Sequence, residues 1–373
     1  MLRTATLTWN SFPNYGTMLQ AYALQQYLLS EGYENHIIDD SCIVFPTSSI
    51  IVKQSYWKQK YQRLKQYFNS ANRAFFASQR IYCPKMAKFK REQLILDNDI
   101  EKVLADKADY NVYICGSDQI WIPKDLNNLK RSFFFASFTQ KKKIAYAPSL
   151  GRRHVCDEWR NLLIDYVSAF DNLSIREYAG KNILETLTGR DVEIVVDPTL
   201  LLNEKEWNSV IPKRNEKENY VLAYILTPNE HHLSIVRKYA IKHNLKLYLF
   251  FLDKSYYGKA DKLITGDPFD FLSYIKNAEM FFTDSFHGTI FSYLLRTPFY
   301  TFRRFKEDSV ENQNSRIETL LQNMDATRLL LDESNCNNIS CPNIDFEHIK
   351  ETLAPLIEKS KQYLHKALYE ADL

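Results

Sequence analysis

Strand-like and helix-like segments alternate along most of this 373-residue chain. Residues 4–9 are rich in β-forming side chains, residues 17–29 carry apolar side chains at helical spacing, and residues 36–39 are again strand-like. A strand, a helix and a second strand in this order predict a crossover unit with parallel strands. Further strand-like runs follow at 112–115, 143–147, 173–177 and 192–196. The pattern predicts an α/β fold with a doubly wound sheet.

A second set of strand-helix units begins at residue 220, after a charged stretch (203–219) that contains Pro212. We therefore expect two Rossmann-like domains that face one cleft, with the division between residues 205 and 206. The two predicted domains are residues 1–205 and residues 206–373. The final helix, at about 346–370, is expected to pack back across the domains.

Positive charge is concentrated in one segment. Between Ser41 and Arg91 the chain has eleven Lys or Arg and no Asp or Glu, although the net charge of the whole chain is only +3. Apolar residues at helical spacing within it predict a basic amphipathic helix: Trp57, Tyr61, Leu64 and Phe68. Three interpretations stay open: packing on the core with a solvated face, contact of residues 52–91 with an anionic membrane or a lipid diphosphate, and nucleic-acid binding. We expect no nucleic-acid partner, because no reader motif accompanies the charge.

The six cysteines are scattered, and only Cys336 and Cys341 lie close together. No second pair completes a zinc site, so we expect reduced thiols and no bound metal. The chain begins with a strand-like run and not with a signal-peptide pattern, and no apolar run approaches the ~20 residues of a spanning helix. These features predict a cytoplasmic protein, with membrane association through 52–91 as the alternative.

The segment 283–292 predicts a strand end, a tight turn and a helix start. It places Asp284, Ser285 and His287 where open α/β sheets bind ligands, at the carboxyl end of a strand. The N–H groups of Gly288 and Thr289 in the first helical turn favour an anion. We therefore expect the chemistry of this chain to centre on His287.

Seven short motifs, in this order, carry a resemblance to the polysaccharide pyruvyl transferase family. They include Asn14-Tyr15-Gly16 followed by 19–24, Gly116-Ser117-Asp118-Gln119 with Trp121, 145–149, Ser174-Ile175-Arg176-Glu177, 197–200 and 283–289. Each motif is weak alone, but the order makes chance agreement improbable. The resemblance spans nearly the whole chain.

The resemblance implies a glycosyltransferase-B-like fold and transfer of an enolpyruvyl group from phosphoenolpyruvate to a sugar, giving a pyruvate ketal and phosphate. It implies that Arg176 and His287 serve the donor. We expect residues 1–205 to lie on the acceptor side and residues 206–373 on the donor side. Some members carry an Arg two residues before that His, where this chain has Ser285. The acceptor is expected to be a sugar or a lipid-linked oligosaccharide of a cell-surface polysaccharide precursor, such as an exopolysaccharide or capsule.

The chemistry of that reaction suggests a role for each site residue. Arg176 offers a bidentate fork to a carboxylate, and Arg316, Arg303 and Arg304 are further candidates for the phosphate. His287 is expected to be the general acid, and Asp118 or Asp284 the base for the acceptor hydroxyl. The residues expected on the donor side are Arg176, Ser285, Gly288, Thr289 and Arg316. Those expected on the acceptor side are Asn14, Tyr15, Gly16, Ser117, Gln119 and Trp121. No metal or cofactor is expected beyond phosphoenolpyruvate as the donor substrate.

Structural explanations compete with these roles. Asp118 is also suited to cap a helix, Arg176 to pair with Glu177 at the surface, and residues 14–16 to form only a turn. At the level of function, the alternatives are a nucleotide-sugar glycosyltransferase and an inactive carbohydrate-binding relative. Dinucleotide binding is not supported, since the chain lacks the G-x-G-x-x-G pattern.

Overall fold

The fold is built on two parallel β-sheets, one formed by strands of each half of the chain. The computed structural model describes residues 2–44, 69–122, 128–214, 218–309, 312–332, 335–336 and 339–372. Every strand pairing within these residues is parallel. Parallel sheets need helical crossovers on their faces, which agrees with the strand-helix alternation of the sequence.

The first sheet has the strand order β3-β2-β1-β4-β5. Its strands are β1 (Arg3–Leu7), β2 (Glu34–Ile38), β3 (Leu96–Asp97), β4 (Val112–Cys115) and β5 (Lys142–Ala145). The helices of this part are α1 (Tyr15–Ser30), α2 (Ser41–Val44), α3 (Ser70–Gln93), α4 (Ile100–Leu104) and α5 (Asn128–Phe134). In the register, Thr4 of β1 lies opposite Asn35 of β2 and Val112 of β4.

Helix α1 begins and ends where its sequence dictates. The Asn14 side chain accepts a hydrogen bond from the Thr17 N–H at 3.2 Å, which satisfies one of the free N–H groups of the first turn. Gly32, with φ of +85°, follows the last turn in a left-handed conformation that glycine adopts without strain. Most of the helix is buried on all sides, because it packs between the first sheet and the second half of the chain.

The segment between the two sheets contains α6 (Asp157–Val167), β6 (Ser174–Ile175), α7 (Tyr178–Thr188), β7 (Glu193–Ile194) and α8 (Glu204–Val210). The sequence predicts longer strands at 173–177 and 192–196. In the structure only two residues of each run are paired, so that β6 and β7 form a short two-stranded ladder. A single bridge between Ile144 and Asn172 joins this ladder to the edge of the first sheet. The polar residues that end these runs leave the ladder to enter the site described below.

The second sheet has the order β10-β9-β8-β11-β12-β13. Its strands are β8 (Tyr220–Tyr224), β9 (Lys246–Phe250), β10 (Lys262–Ile264), β11 (Met280–Thr283), β12 (Phe299–Phe302) and β13 (Leu330–Leu331). The helices are α9 (Glu230–Lys242), α10 (Pro268–Lys276), α11 (Phe286–Leu294), α12 (Ser315–Asn323) and α13 (Phe346–Asp372). The sequence does not predict the short strands β3, β10 and β13.

One hydrophobic core is continuous between the halves. Tyr15 of α1 is stacked on Phe271 of α10, with ring centroids 4.8 Å apart, and also contacts Tyr224 and Phe250 of the second sheet. The last helix contacts the first half, where the Tyr363 hydroxyl donates to the Ala145 carbonyl at 2.9 Å. The division of the chain at 205 and 206 stays a prediction, and it falls inside helix α8.

The basic segment is only partly described. Outside the described residues lie the predicted helical positions Trp57, Tyr61, Leu64 and Phe68. The described part of the segment, from residue 69 on, forms most of the long helix α3. Within the described part of the chain, every helix falls short of the length and apolar character that a bilayer-spanning segment requires.

Candidate active site

A cleft of about 820 Å³ opens at the carboxyl ends of the two sheets. Residues of both halves line it, among them Asn14, Asp118, Gln119, Tyr224 and Arg304. Helix α3 contributes one wall, and its Tyr82 hydroxyl donates to the Pro13 carbonyl at 2.5 Å. This is the position at which open α/β sheets bind ligands.

Arg176 is the centre of a buried ionic cluster that lies beneath the cleft. Among Arg176, Asp118, Asp197 and His287, it is Asp118 that lines the cleft itself. It follows β6, and its guanidinium donates to Asp118 Oδ1 at 3.0 Å and to Asp197 Oδ2 at 2.7 Å. Its Cζ lies 4.5 Å from the ring centroid of Phe286, the first residue of α11. The side chain is 1% exposed, so the interpretation of Arg176 as part of a surface ion pair is wrong.

Asp197 joins three of the sequence motifs, those at 116–121, 174–177 and 197–200, into one hydrogen-bonded group. Its Oδ2 accepts from Arg176 and from Ser117 Oγ at 3.1 Å, and its Oδ1 accepts from the hydroxyl of Thr199 at 2.7 Å. His287 Nε2 lies 3.4 Å from Asp197 Oδ2 and has no hydrogen-bond partner among the described residues. Motifs that are far apart in sequence therefore meet around one carboxylate.

The charges of the cluster shift its pKa values in opposite directions. Burial alone would raise the pKa of Asp197 and of Asp118. Interaction with His287 and with Arg176 outweighs burial at Asp197, the charge of Arg176 is the main opposing cause at Asp118, and both pKa values lie below their usual range. The two carboxylates in turn outweigh the effect of burial on Arg176 and raise its pKa. Both aspartates are therefore ionised at neutral pH.

The imidazole of His287 fits against α1 only because residue 16 is glycine. A Cβ on Gly16 would lie 2.2 Å from His287 Nδ1 and 2.4 Å from His287 Cγ, far inside contact distance. Asn14 caps α1 and lines the cleft, and Tyr15 stacks on Phe271 in the core that the two halves share. The segment 14–16 is thus more than a turn, since it lets the second half approach closely.

Ser285 is the N-cap of helix α11. Its Oγ accepts from the Gly288 N–H at 3.2 Å, while its carbonyl accepts the Thr289 N–H at 3.0 Å and the Thr289 hydroxyl at 2.9 Å. The sequence predicts that the N–H groups of Gly288 and Thr289 bind a donor anion. This prediction differs from the structure, in which both groups are engaged inside the helix cap.

Two buried carboxylates hold loops in place. Asp284 accepts backbone N–H groups of Leu226 at 2.7 Å and Thr227 at 3.3 Å, and burial raises its pKa. Glu177 accepts from the Leu150 N–H and the Ser149 hydroxyl, both at 2.9 Å, and burial likewise raises its pKa. Asp284 therefore fixes the loop after β8, and this contact favours Asp118 over Asp284 as the carboxylate that faces the cleft.

The residues predicted for the acceptor separate into two groups. Asn14 and Gln119 line the cleft, whereas Ser117 lies beneath it, with its hydroxyl shared between the Ala147 carbonyl and Asp197. Trp121 is fully buried in the first core, where its Nε1 donates to the Phe134 carbonyl at 3.1 Å. Tyr15 is also buried. The positions of Trp121 and Tyr15 correct the sequence prediction, because aromatic residues in a motif serve packing as readily as binding.

The three downstream arginines have different environments. Arg303 is ion-paired with Glu318. Arg304 lines the cleft, and its Nε donates to Thr227 Oγ1 at 2.8 Å. Arg316, in the first turn of α12, is buried and donates to Gln313 Oε1 at 3.0 Å.

The sequence prediction does not include Asp197 or Thr17 among the site residues. Thr17 Oγ1 donates to Asp118 Oδ2 at 2.7 Å. For Asp197 a signal exists, because an aspartate directly after a strand and before Pro198 stands at the same sheet edge as Asp118. For Thr17 the sequence gives no signal, since the contact depends on how α1 packs against the loop after β4.

Solved structures with this architecture share little sequence with the chain. A protein from Listeria monocytogenes assigned as a UDP-N-acetylglucosamine 2-epimerase is 11% identical, with a TM-score of 0.51, over 98% of this chain and 90% of that chain. An α-glucosyltransferase in complex with UDP is 9% identical, with a TM-score of 0.50, over 100% of this chain and 96% of that chain. Comparison with curated protein sequences gives no match. The likeness shows a glycosyltransferase-B-like fold.

The sequence profile of one family covers the ionic cluster and most of the residues that line the cleft. The profile of the polysaccharide pyruvyl transferases matches residues 14–304. The chain therefore belongs to the polysaccharide pyruvyl transferase family, a family of polysaccharide-modifying transferases.

Proposed function

We propose that this protein transfers an enolpyruvyl group from phosphoenolpyruvate to two hydroxyls of a sugar, in a cell-surface polysaccharide precursor, forming a pyruvate ketal and releasing phosphate. The observation that carries the proposal is the convergence of Asp118, Arg176, Asp197 and His287 in one buried cluster, which reaches the cleft through Asp118. Family membership supports the reaction class.

The bonds of the proposed reaction balance without a redox partner. One sugar hydroxyl adds to C2 of the donor while the methylene carbon gains a proton and becomes the methyl group. The C2–O bond to phosphate breaks, and the second hydroxyl closes the ketal ring. The two protons lost from the sugar are balanced by the proton gained at carbon and the one gained by the medium or the phosphate.

Asp118 is our candidate for the group that accepts the proton of the sugar hydroxyl. It lines the cleft, and the positive charges around it keep its carboxylate ionised. The hydroxyl of Thr17 and the guanidinium of Arg176 fix one oxygen each. A base held from both sides keeps its orientation when a substrate enters.

His287 is our candidate for the proton donor to the methylene carbon. Histidine side chains exchange protons near neutral pH, and the negative charge of Asp197 faces this ring. Because Arg176 already binds two carboxylates, we assign it to holding Asp118 and Asp197 in place. Donor binding then depends on other cations.

The test is acceptor-dependent release of phosphate. The purified protein is incubated with phosphoenolpyruvate and a panel of oligosaccharides, free and lipid-linked, and the products are followed by phosphate assay and by mass. We expect phosphate and a pyruvylated sugar in equal amounts. A parallel arm replaces phosphoenolpyruvate with nucleotide sugars, and glycosyl transfer in that arm without any pyruvyl transfer would contradict the proposal.

A further inference from the structure

Arg303 and Arg304 follow strand β12 and point to different surroundings. Arg303 is engaged by Glu318 and Glu307. Arg304 lines the cleft instead, and its backbone N–H donates to Asn314 Oδ1 at 3.1 Å. Its Nε donates to Thr227, while its two terminal nitrogens have no hydrogen-bond partner in the described part of the chain. Arg304 therefore presents a fixed guanidinium with free donors to the cleft.

Arg316 lies behind the cleft wall and lacks a direct counter-ion. It is 7% exposed, forms no ion pair among the described residues, and leaves its buried Nε without a partner there. Its contact is Gln313 Oε1, which also accepts from Gln119 Nε2 at 2.7 Å. Both glutamines line the cleft, so this network joins Arg316 to the cleft surface.

The arginines repel one another at this end of the cleft. Burial and the charge of Arg176 lower the pKa of Arg316 to about 9, with a further lowering by Arg304, while Asp118 and Glu177 act in the opposite direction. Asp284 is the carboxylate near Arg304, and the charge of Arg304 acts to lower the pKa of Asp284. Both oxygens of Asp284, however, already accept backbone N–H groups. A buried cation without a paired anion is unfavourable, and a bound anion would relieve it.

We propose that Arg304, on the cleft surface, and Arg316, joined to that surface through Gln313, form the binding site for the phosphoryl group of the donor. Guanidinium groups bind phosphoryl oxygens through paired N–H donors. Ser285, two residues before His287, carries no charge and is occupied as a helix cap. The identification of the ligand as phosphoenolpyruvate rests on the function proposed above, whereas the anion site rests on the arginines alone.

The test measures binding and not turnover, so that it can be separated from the proposed function. Binding of inorganic phosphate, phosphoenolpyruvate and UDP to the full chain is measured by calorimetry for the wild type, Arg304→Gln and the control Arg303→Gln. The control removes the same charge one residue away, from a side chain already paired with carboxylates. We expect Arg304→Gln to weaken binding of the preferred anion at least about tenfold, and Arg303→Gln to change it less than about twofold.

The outcomes distinguish the two proposals. Arg304-dependent binding of phosphoenolpyruvate supports both the site and its ligand. Arg304-dependent binding of UDP without phosphoenolpyruvate supports the site and contradicts the proposed donor. Equal anion binding by the wild type and Arg304→Gln, or binding of none of the three anions by the wild type, overturns the inference. Arg316→Lys, which keeps the charge and loses the fork, is expected to give an intermediate loss, and unchanged binding would remove Arg316 from the site.

Discussion

Gly16 shapes the site through the absence of a side chain. Its Cα faces the imidazole of His287 so closely that a methyl group would overlap Nδ1. Gly16→Ala gains about 1 kcal/mol of helix propensity, but the overlap must displace either α1 or His287. We expect the free energy of unfolding to fall by about 1–3 kcal/mol and phosphate release to fall more steeply than stability.

Gly180→Ala is the matched control for this substitution. It is also a helical glycine with a close neighbour, but its added Cβ would meet Ile175 Cδ1 and Glu177 Oε1 and not His287. Unfolding in urea and phosphate release are compared for both variants. If Gly16→Ala retained full activity, the fixed position of His287 against α1 would not matter for the reaction.

The lowered pKa values of Asp118 and Asp197 predict how stability depends on pH. An aspartate in the unfolded chain titrates near about 4, and in the folded protein both groups titrate lower. Between those values the unfolded state binds more protons, so stability rises with pH. The contribution is fully present above the unfolded value and is lost as the pH falls through the folded values.

Asp197→Asn removes one of these two carboxylates and leaves Arg176 buried with one partner. We expect a loss of about 3–5 kcal/mol at neutral pH and a shallower dependence of stability on pH between pH 3 and 6. Asp109→Asn is the control, because that carboxylate is 87% exposed. Unfolding is measured in urea across this range, and the same pH slope in Asp197→Asn and wild type would refute the assignment.

The surroundings of single side chains were harder to predict from the sequence than the elements or the overall fold. The sequence indicates that Asp118, Arg176 and His287 end strands or begin helices, and parallel topology brings such residues to one sheet edge. It does not indicate which aromatic residue of a motif faces a ligand, and Trp121 and Tyr15 are both buried. Burial of a side chain depends on packing between distant segments, which a local pattern does not contain.

Helix α11 illustrates how one cap residue serves an element. Ser285 Oγ accepts the Gly288 N–H, and a Cβ on Gly288 would approach Thr283 Oγ1 to 2.7 Å. Ser285→Ala leaves that N–H unsatisfied at a buried helix start. We expect a loss of about 1 kcal/mol of stability, most of which Ser285→Asn restores because asparagine is also a good cap. Equal stability of Ser285→Ala and wild type in urea unfolding would show that the cap contributes nothing.

Elements with strong periodicity were predictable, and short edge elements were not. The strand at Tyr220–Tyr224 and the helix at Pro268–Lys276 follow the sequence pattern closely. Strands β3 and β13 have two residues each, too few to show any alternation, and they exist because a neighbouring strand offers free backbone groups.

At the scale of the whole molecule, helix α13 connects the end of the chain to the site in the first half. The Ser360 hydroxyl accepts the Val196 N–H at 2.9 Å, and Val196 directly precedes Asp197. Ser360→Ala leaves a buried N–H without this partner, which costs about 1–3 kcal/mol. We expect phosphate release to fall as well, because the backbone that positions Asp197 is loosened.

Thr352→Ala is the control on the same helix. The hydroxyls of Thr352 and Ser360 each donate to the carbonyl four residues earlier, but Thr352 is exposed whereas Ser360 is buried. We expect neutral stability and activity for this variant. If Ser360→Ala behaved like Thr352→Ala in thermal unfolding and in phosphate release, the last helix would have no role in positioning Asp197.

The alternation of strands and helices indicated two parallel sheets with a shared cleft, and the structure and its neighbours agree. The shared core was not foreseeable, since Tyr15 reads as part of a loop motif and yet stacks on Phe271 of the other half. Contacts between halves depend on the whole tertiary arrangement. For this reason the sequence predicted the site's location better than its internal geometry.

The central claim is that His287 acts in acceptor-dependent pyruvyl transfer beneath this cleft. The most direct measurement is the rate of phosphate release from phosphoenolpyruvate, with a matched sugar acceptor, by the wild type, His287→Gln and the exposed control His348→Gln. The proposal predicts that His287→Gln loses about 10²–10⁴-fold in rate while its fold is retained and His348→Gln stays near wild type. Release at the wild-type rate by His287→Gln would contradict it.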